Sequence, residues 1–160
     1  MWKNKNRIEF QRCVEDLLHT QEVCSLHEVG AHMCTNCYEH SVFVAYVSFL
    51  LCRRFGWDFE AAARGGLLHD LFLYDRKDRE SYPGRHLRFH PHAALQNARK
   101  LCSLSERESD IIVKHMWPVT RTFPRYKESY LVSSVDKICA MIECLPLYKW
   151  LKVKKNVALV

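Results

Sequence analysis

His69 and Asp70 stand side by side in LLHDLFLYD (67–75), a markedly apolar stretch of the chain. Burying such a titratable pair is costly unless a hydrogen-bonding partner or a metal ion compensates it. Further polar residues recur in similar apolar, helical surroundings. His40 begins HSVFVAY, His90 lies in FHPHAAL, His115 terminates a helix in DIIVKHMWP and Asp136 sits within LVSSVDKICA. An imidazole-rich, carboxylate-poor set of this kind suits borderline metals such as zinc, iron, nickel, manganese or cobalt. Neutral imidazoles ligate at pH 7, and the carboxylates offset the charge of the ion. Each residue has its own structural alternative: a helix cap for His40, a hydrogen-bonded core couple for His69 and Asp70, an ion pair with Lys137 for Asp136. One metal cavity accounts for all six together.

These residues must be positioned by helices. Glycine and proline are few, five each, which argues against the many tight turns of an all-β fold. An amphipathic helix is expected over 6–19, and 20–38 is the least regular stretch. A buried helix runs from Glu39 to Phe55 and is ended by Gly56. Asp58 is an N-cap for a helix through Ala61, Ala62 and Ala63 that carries LLHD at its C-terminal end. The charged segment 74–89 reads as a loop, and Pro91 as the first residue of the helix PHAALQNARKL. Ser105 with Glu108 forms a capping box for a helix ending near His115 and stopped by Pro118, and a last helix covers Glu128 to Glu143. The expectation is a compact all-α, single-domain bundle of about six helices spanning 1–160. Adjacent residues on a helix point about 100° apart, so His69 and Asp70 can serve one site only where the helix end meets the cavity from the side.

The order His40, His69-Asp70, Asp136 resembles the HD-domain superfamily of metal-dependent phosphohydrolases, an all-helical fold named for that dipeptide. The likeness covers about residues 30–145. HSVFVAYVSFLLCRRFGWDFEAAARGGLLHD resembles the family's succession of histidine, apolar helix, glycine turn, alanine-rich helix and dipeptide, and VSSVDKICA resembles its final motif. His90 and His115, 20 residues past Asp70 and 25 further on, resemble the two additional histidines of subfamilies that bind two metals. His92 competes with His90, but His90 holds the position before the proline. Leu73 stands three residues past Asp70, where some members carry a catalytic lysine or glutamate. This takes away one acid–base candidate and weighs against the nucleotidase and alarmone-hydrolase subfamilies.

The resemblance implies hydrolysis of a phosphate ester of a nucleotide or another small phosphorylated metabolite. One or two divalent transition-metal ions (Fe, Mn, Zn, Ni or Co) would lower the pKa of a water and polarise the phosphoryl oxygen. It implies His40, His69, Asp70 and Asp136 as primary ligands, Asp70 as the bridge between two ions, and His90 and His115 as ligands of the second. Asp70, Asp75 and Asp78 are the candidate catalytic carboxylates. Arg64, Arg85, Arg88, Lys114 and Lys137 flank the motifs and would suit an anionic phosphate. Tyr74 and Trp117 are candidates for stacking on a base, and His86 for a place at the mouth of the site. Two other readings stay open: a di-iron oxygenase of the same fold, and a non-catalytic nucleotide-binding sensor.

Composition bounds the alternatives. The chain has 160 residues, 48% hydrophobic and 26% charged, a globular balance without long biased segments. The apolar stretches 41–52 and 138–147 fall short of the ~20 residues that a membrane span needs. The N-terminus MWKNKNRIEF lacks the apolar region of a signal peptide, which reads as a cytoplasmic protein. The eight cysteines include several among aliphatic residues and read as reduced thiols; CTNC (34–37), with His27, His32 and Cys24 near it, lacks the second ligand pair of a structural zinc site. The net charge of +6 comes partly from KWLKVKK near the C-terminus, which reads as solvated rather than as a nucleic-acid contact. A homodimer is compatible with all of this.

Overall fold

The computed structural model describes residues 4–30, 35–78 and 80–145, and the sequence-predicted basic tail, Cys34 and His32 lie outside them. Among the described residues there are seven helices and no strand: α1 (Asn4–Leu18), α2 (Gln21–Ser25), α3 (Cys37–Phe55), α4 (Phe59–Leu68), α5 (His86–Leu101), α6 (Glu106–Lys114) and α7 (Lys127–Glu143). The expected all-α architecture is what forms, with the five-residue α2 as the additional element.

Local chemistry sets the helix ends that matter for the site. Asn36 accepts a hydrogen bond from the Glu39 amide and opens α3 three residues before His40. Gly56, at φ 65°, closes α3 in the left-handed region that glycine enters without steric cost. Two residues later the Asp58 carboxylate accepts from the Ala61 amide and starts α4. Ser105 and Glu108 form the expected capping box of α6, with the Ser105 amide donating to the Glu108 carboxylate at 2.7 Å.

One boundary differs from the sequence expectation. α5 begins at His86, so Pro91 is inside the helix rather than at its start. The missing N–H removes only the bond to the Leu87 carbonyl, in an exposed first turn of the helix where the loss is small. The tolerance matters for function because it puts His86 and His90 one turn apart on a single helix.

α4 lies at the centre, packed against α1, α3, α6 and α7. Its apolar face, Ala61 to Ala63 with Leu67 and Leu68, joins Phe10, Val14 and Leu17 of α1, Val42 to Phe49 of α3, and Ile111 and Ile112 of α6 in one core. Close approach depends on the Gly65-Gly66 pair. A Cβ on Gly66 would stand 2.9 Å from the Ala45 Cα, and one on Gly65 would stand 2.7 Å from the Ile111 Cγ2. These two contacts fix how far the end of α4, and hence His69, stands from His40 and from His115.

Candidate metal centre

His69 caps the C-terminus of α4 and Asp70 lies just beyond it, so the helix meets the cavity end-on and both side chains reach one place. Asp70 Oδ2 is 3.6 Å from His69 Nε2, while its Oδ1 is 3.4 Å from His90 Nε2 and 3.7 Å from His115 Nε2. Asp136 Oδ1 is 3.0 Å from His40 Nε2 and 3.7 Å from His69 Nε2. Six side chains from α3, α5, α7 and the ends of α4 and α6 therefore converge. Two subsets are visible: His40, His69 and Asp136 on one side, His90 and His115 on the other, with Asp70 between them. Burial is nearly complete, at 1% exposure for His40, His69 and His115 and 4% for His90. His92, the competing histidine, points to solvent.

The other nitrogen of each ring explains the orientation. His69 Nδ1–H donates to the Gly66 carbonyl at 2.7 Å and His115 Nδ1–H to the Ile112 carbonyl at 2.8 Å. Both carbonyls belong to a last helical turn, where such groups lack intrahelical partners, so ring and helix end satisfy each other. His90 Nδ1–H donates to the His86 carbonyl at 3.0 Å. His40 Nδ1–H is held by the Glu143 carboxylate, with oxygens at 3.0 and 3.1 Å, and Thr35 Oγ1 donates to the same carboxylate. His69, His90 and His115 thus carry their hydrogen on Nδ1 and turn the Nε2 lone pair inward, the arrangement in which histidine ligates metal, while His40, with a carboxylate at each nitrogen, donates from both and also faces the site with Nε2.

Electrostatics follow from this packing. Burial would lower the His40 pKa, but the hydrogen bonds its ring donates to the Asp136 and Glu143 carboxylates overcome it and push it up to about 10. Burial pushes His115 down to about 3, helped by His69 and His90. Burial would raise Asp70, yet the surrounding imidazoles hold it below the usual carboxylate range, and Asp136 is likewise held well below it by His40 and His69. Lys137 Nζ donates to the His115 carbonyl at 2.7 Å and the Ser133 carbonyl at 3.0 Å, and lies 3.5 Å from Asp136 Oδ2. This clamp ties the end of α6 to α7.

The donor set fits a metal. His90 Nε2 and His115 Nε2 are 2.8 Å apart, although both rings already donate through Nδ1. Two lone pairs at that distance repel unless a cation lies between them. Imidazole ligands with bonds of about 2.1 Å at adjacent positions on one ion stand about 3 Å apart. The groups His40–His69–Asp136 and His69–Asp70–His115 each bring their ligand atoms within 4.8 Å of one another.

A cavity of about 270 Å³ opens onto these residues. Of the sequence-predicted substrate contacts, Lys137 lines it and the other four do not. Arg64 lies five residues before His69 and is engaged by Asp16 and Glu108 at 2.6 and 2.8 Å. Lys114 pairs with Asp110, and Arg85 and Arg88 are exposed at the start of α5. Asp75 and Asp78 also stay outside: both are exposed in the loop, where their carboxylates accept from the Lys77 and Glu80 amides. Trp117 packs on Phe123 and Tyr130, and Tyr74 bonds His86, which lines the cavity.

Three residues that the sequence reading did not assign to the site belong to its surroundings. Glu143 orients His40. Its signal was present: it lies seven residues after Asp136, on the same face of α7, in an equally apolar run. Arg76 and Cys37 line the cavity, and no spacing announced them. The Cys37 thiol is buried and pushed up to about 12, first by burial and then by the charge of Asp70, so it stays protonated. Comparison of the chain with protein-family models, curated proteins and solved structures finds no match.

Proposed function

We propose that this chain is a metal-dependent phosphohydrolase of the HD-domain type, holding two divalent transition-metal ions and hydrolysing small phosphate esters. The observation that carries the reading is the fixed inward aim of four histidine Nε2 atoms onto two carboxylates, with every Nδ1 already tied. Such a constellation has no structural task that six apolar side chains would not perform at lower cost. His40, His69 and Asp136 would hold one ion, His90 and His115 the other, and Asp70 both.

Ions held there supply a Lewis acid for a phosphoryl oxygen and a water of lowered pKa. The remaining work belongs to the chain. Asp70, with one oxygen toward each histidine subset, keeps the two halves of the site in register. Glu143 keeps His40 from rotating, and Lys137 offsets the second oxygen of Asp136. Among the described residues the cavity is lined by no carboxylate other than Asp70 and Asp136. Burial of the ligands excludes bulk water and strengthens each of these interactions.

Elemental analysis of protein purified anaerobically without an affinity tag, followed by phosphate release from a panel of nucleotides and small phosphate monoesters, tests this. Two equivalents of metal and turnover lost on chelation are expected. Asp70→Ala should lose both metal and turnover; a metal-loaded, active Asp70→Ala protein would overturn the reading.

A further inference from the structure

Ligand residues make up only part of the cavity wall, and several of them have an apolar neighbour within about one helical turn. Leu87 stands three residues before His90 on α5, and Ala140 stands four after Asp136 on α7. Met116 follows His115 directly, and Val119 comes four residues after it. Helical spacings of three and four put side chains on one face, so apolar groups accompany the ligands into the same space. All four line the cavity. Leu87 is 51% exposed and Val119 56%, which places these two at the mouth, with the buried ligands below them. Single exposed apolar side chains are ordinary. Four on one cavity, brought from α5, α7 and the turn after α6, make a continuous lining.

The polar groups of the same wall offer little to an organic substituent. Lys137 Nζ is committed to the His115 and Ser133 carbonyls. The Cys37 thiol is buried and a weak donor. His86 stacks on His90 at 4.7 Å and meets the Tyr74 hydroxyl through Nδ1, which keeps it beside the ligands. Arg76 is half-buried and already engaged within the chain. An open aromatic face for a nucleobase is also missing among the described lining residues. Phe72 is 2% exposed and packed edge-to-face with His86 and His90 at 5.0 and 5.7 Å, and neither Tyr74 nor Trp117 lines the cavity. At about 270 Å³ the space falls below the ~300–1,000 Å³ of sites that take drug-sized ligands, a size class to which nucleotides belong.

We infer that the site takes small aliphatic phosphate esters, with a short alkyl chain as the ester group, in preference to nucleotides and sugar phosphates; the inference rests on the metal-dependent reading above. With the phosphoryl group on the ligand side, the organic substituent lies among Leu87, Met116, Val119 and Ala140. Each methylene that leaves water for this lining tightens binding by about two- to four-fold. A hydroxyl in the same place gives up its water without gaining a partner, so a polyhydroxy substituent is disfavoured.

The test is anaerobic calorimetric titration of the metal-loaded full chain with methylphosphonate, butylphosphonate, 3-hydroxypropylphosphonate and adenosine monophosphate, with metal content measured on each sample. Butylphosphonate should bind at least ten-fold more tightly than methylphosphonate. The hydroxypropyl compound, equal in length to the butyl one, and adenosine monophosphate should both bind more weakly than butylphosphonate, by about ten-fold. Leu87→Gln and Val119→Thr, polar replacements at exposed positions, should each shrink the butyl-to-methyl ratio about three-fold or more. Equal affinity for the butyl and hydroxypropyl compounds, tightest binding of the nucleotide, or an unchanged ratio in both variants overturns the inference. Turnover of butyl phosphate and glycerol phosphate is then compared. Equal turnover of the two overturns the apolar site alone. The expected binding order without hydrolysis of either ester supports the apolar site and brings down the phosphohydrolase reading. A protein that takes up no metal brings down both.

Discussion

Glu143 grips His40 from behind: its two carboxylate oxygens lie 3.0 and 3.1 Å from Nδ1, on the side of the ring away from Asp136. The pair joins α3 to the last turn of α7 and decides which imidazole nitrogen faces the site. Outer partners of this type raise ligand basicity and fix ring orientation, and their loss costs about 10- to 100-fold in metal affinity. Glu143→Gln should therefore weaken metal binding in that range while the far-ultraviolet circular dichroism stays unchanged. Chelator competition measures it; wild-type affinity in this variant would remove Glu143 from the site.

Removing one histidine subset should split the metal content. His90 and His115 lie together on the far side of Asp70, and His40, His69 and Asp136 form the other group. His90→Ala should keep about one equivalent where two are expected of the wild type. Atomic absorption on dialysed protein distinguishes this from loss of both ions.

Gly66→Ala should destabilise the protein by roughly 1–3 kcal/mol, because the new methyl would stand 2.9 Å from the Ala45 Cα and backbone cannot yield cheaply. Urea unfolding gives the value. Since the same contact sets the spacing of His69 from His40, metal affinity should fall with it, whereas an exposed Ser134→Ala control on α7 should change neither.

Stability of the metal-free protein should peak near pH 6.5. His115 has a folded-state pKa pushed down to about 3 against an ordinary 6.5, so the unfolded chain binds more protons between these values and stability falls as pH drops through that window. His40 has the opposite sign. Its pKa is raised to about 10, so its contribution is complete below 6.5 and is lost as pH rises toward 10. Thermal melts from pH 4 to 10 in the presence of chelator should give this two-sided profile. His40→Gln should flatten the alkaline limb, and a profile that rises steadily to pH 10 would contradict the assignment.

The six converging residues were legible because each is a polar residue set in an apolar helical run, a conflict that local structure cannot resolve. Helix ends marked by Gly56, Asp58 and Ser105 were legible for a related reason, since capping is a contact over three or four residues. The start of α5 was not: Pro91 resembles a first residue, and only the exposure of Leu87 reveals that its missing N–H is harmless. Arg64 was misassigned through spacing. Five residues before His69 corresponds to about 140° around the helix, which turns it toward Asp16 and Glu108. Lys114 adjoins His115 in sequence but leaves α6 toward Asp110. The placement of Arg76 depends on how Tyr82 folds the loop back, a tertiary event that no periodicity encodes.

The Lys137 clamp and the His40–Glu143 pair both depend on α7, the last of the described helices along the chain. A nascent polypeptide that has emerged only through α6 can present His40, His69, Asp70, His90 and His115, but neither Asp136 nor the carboxylate that aims His40. On the proposed metal-dependent reading, cofactor acquisition would be postponed until the polypeptide has closed on itself. An ion captured then would link residue 40 to residue 136 and act as a latch on the finished fold.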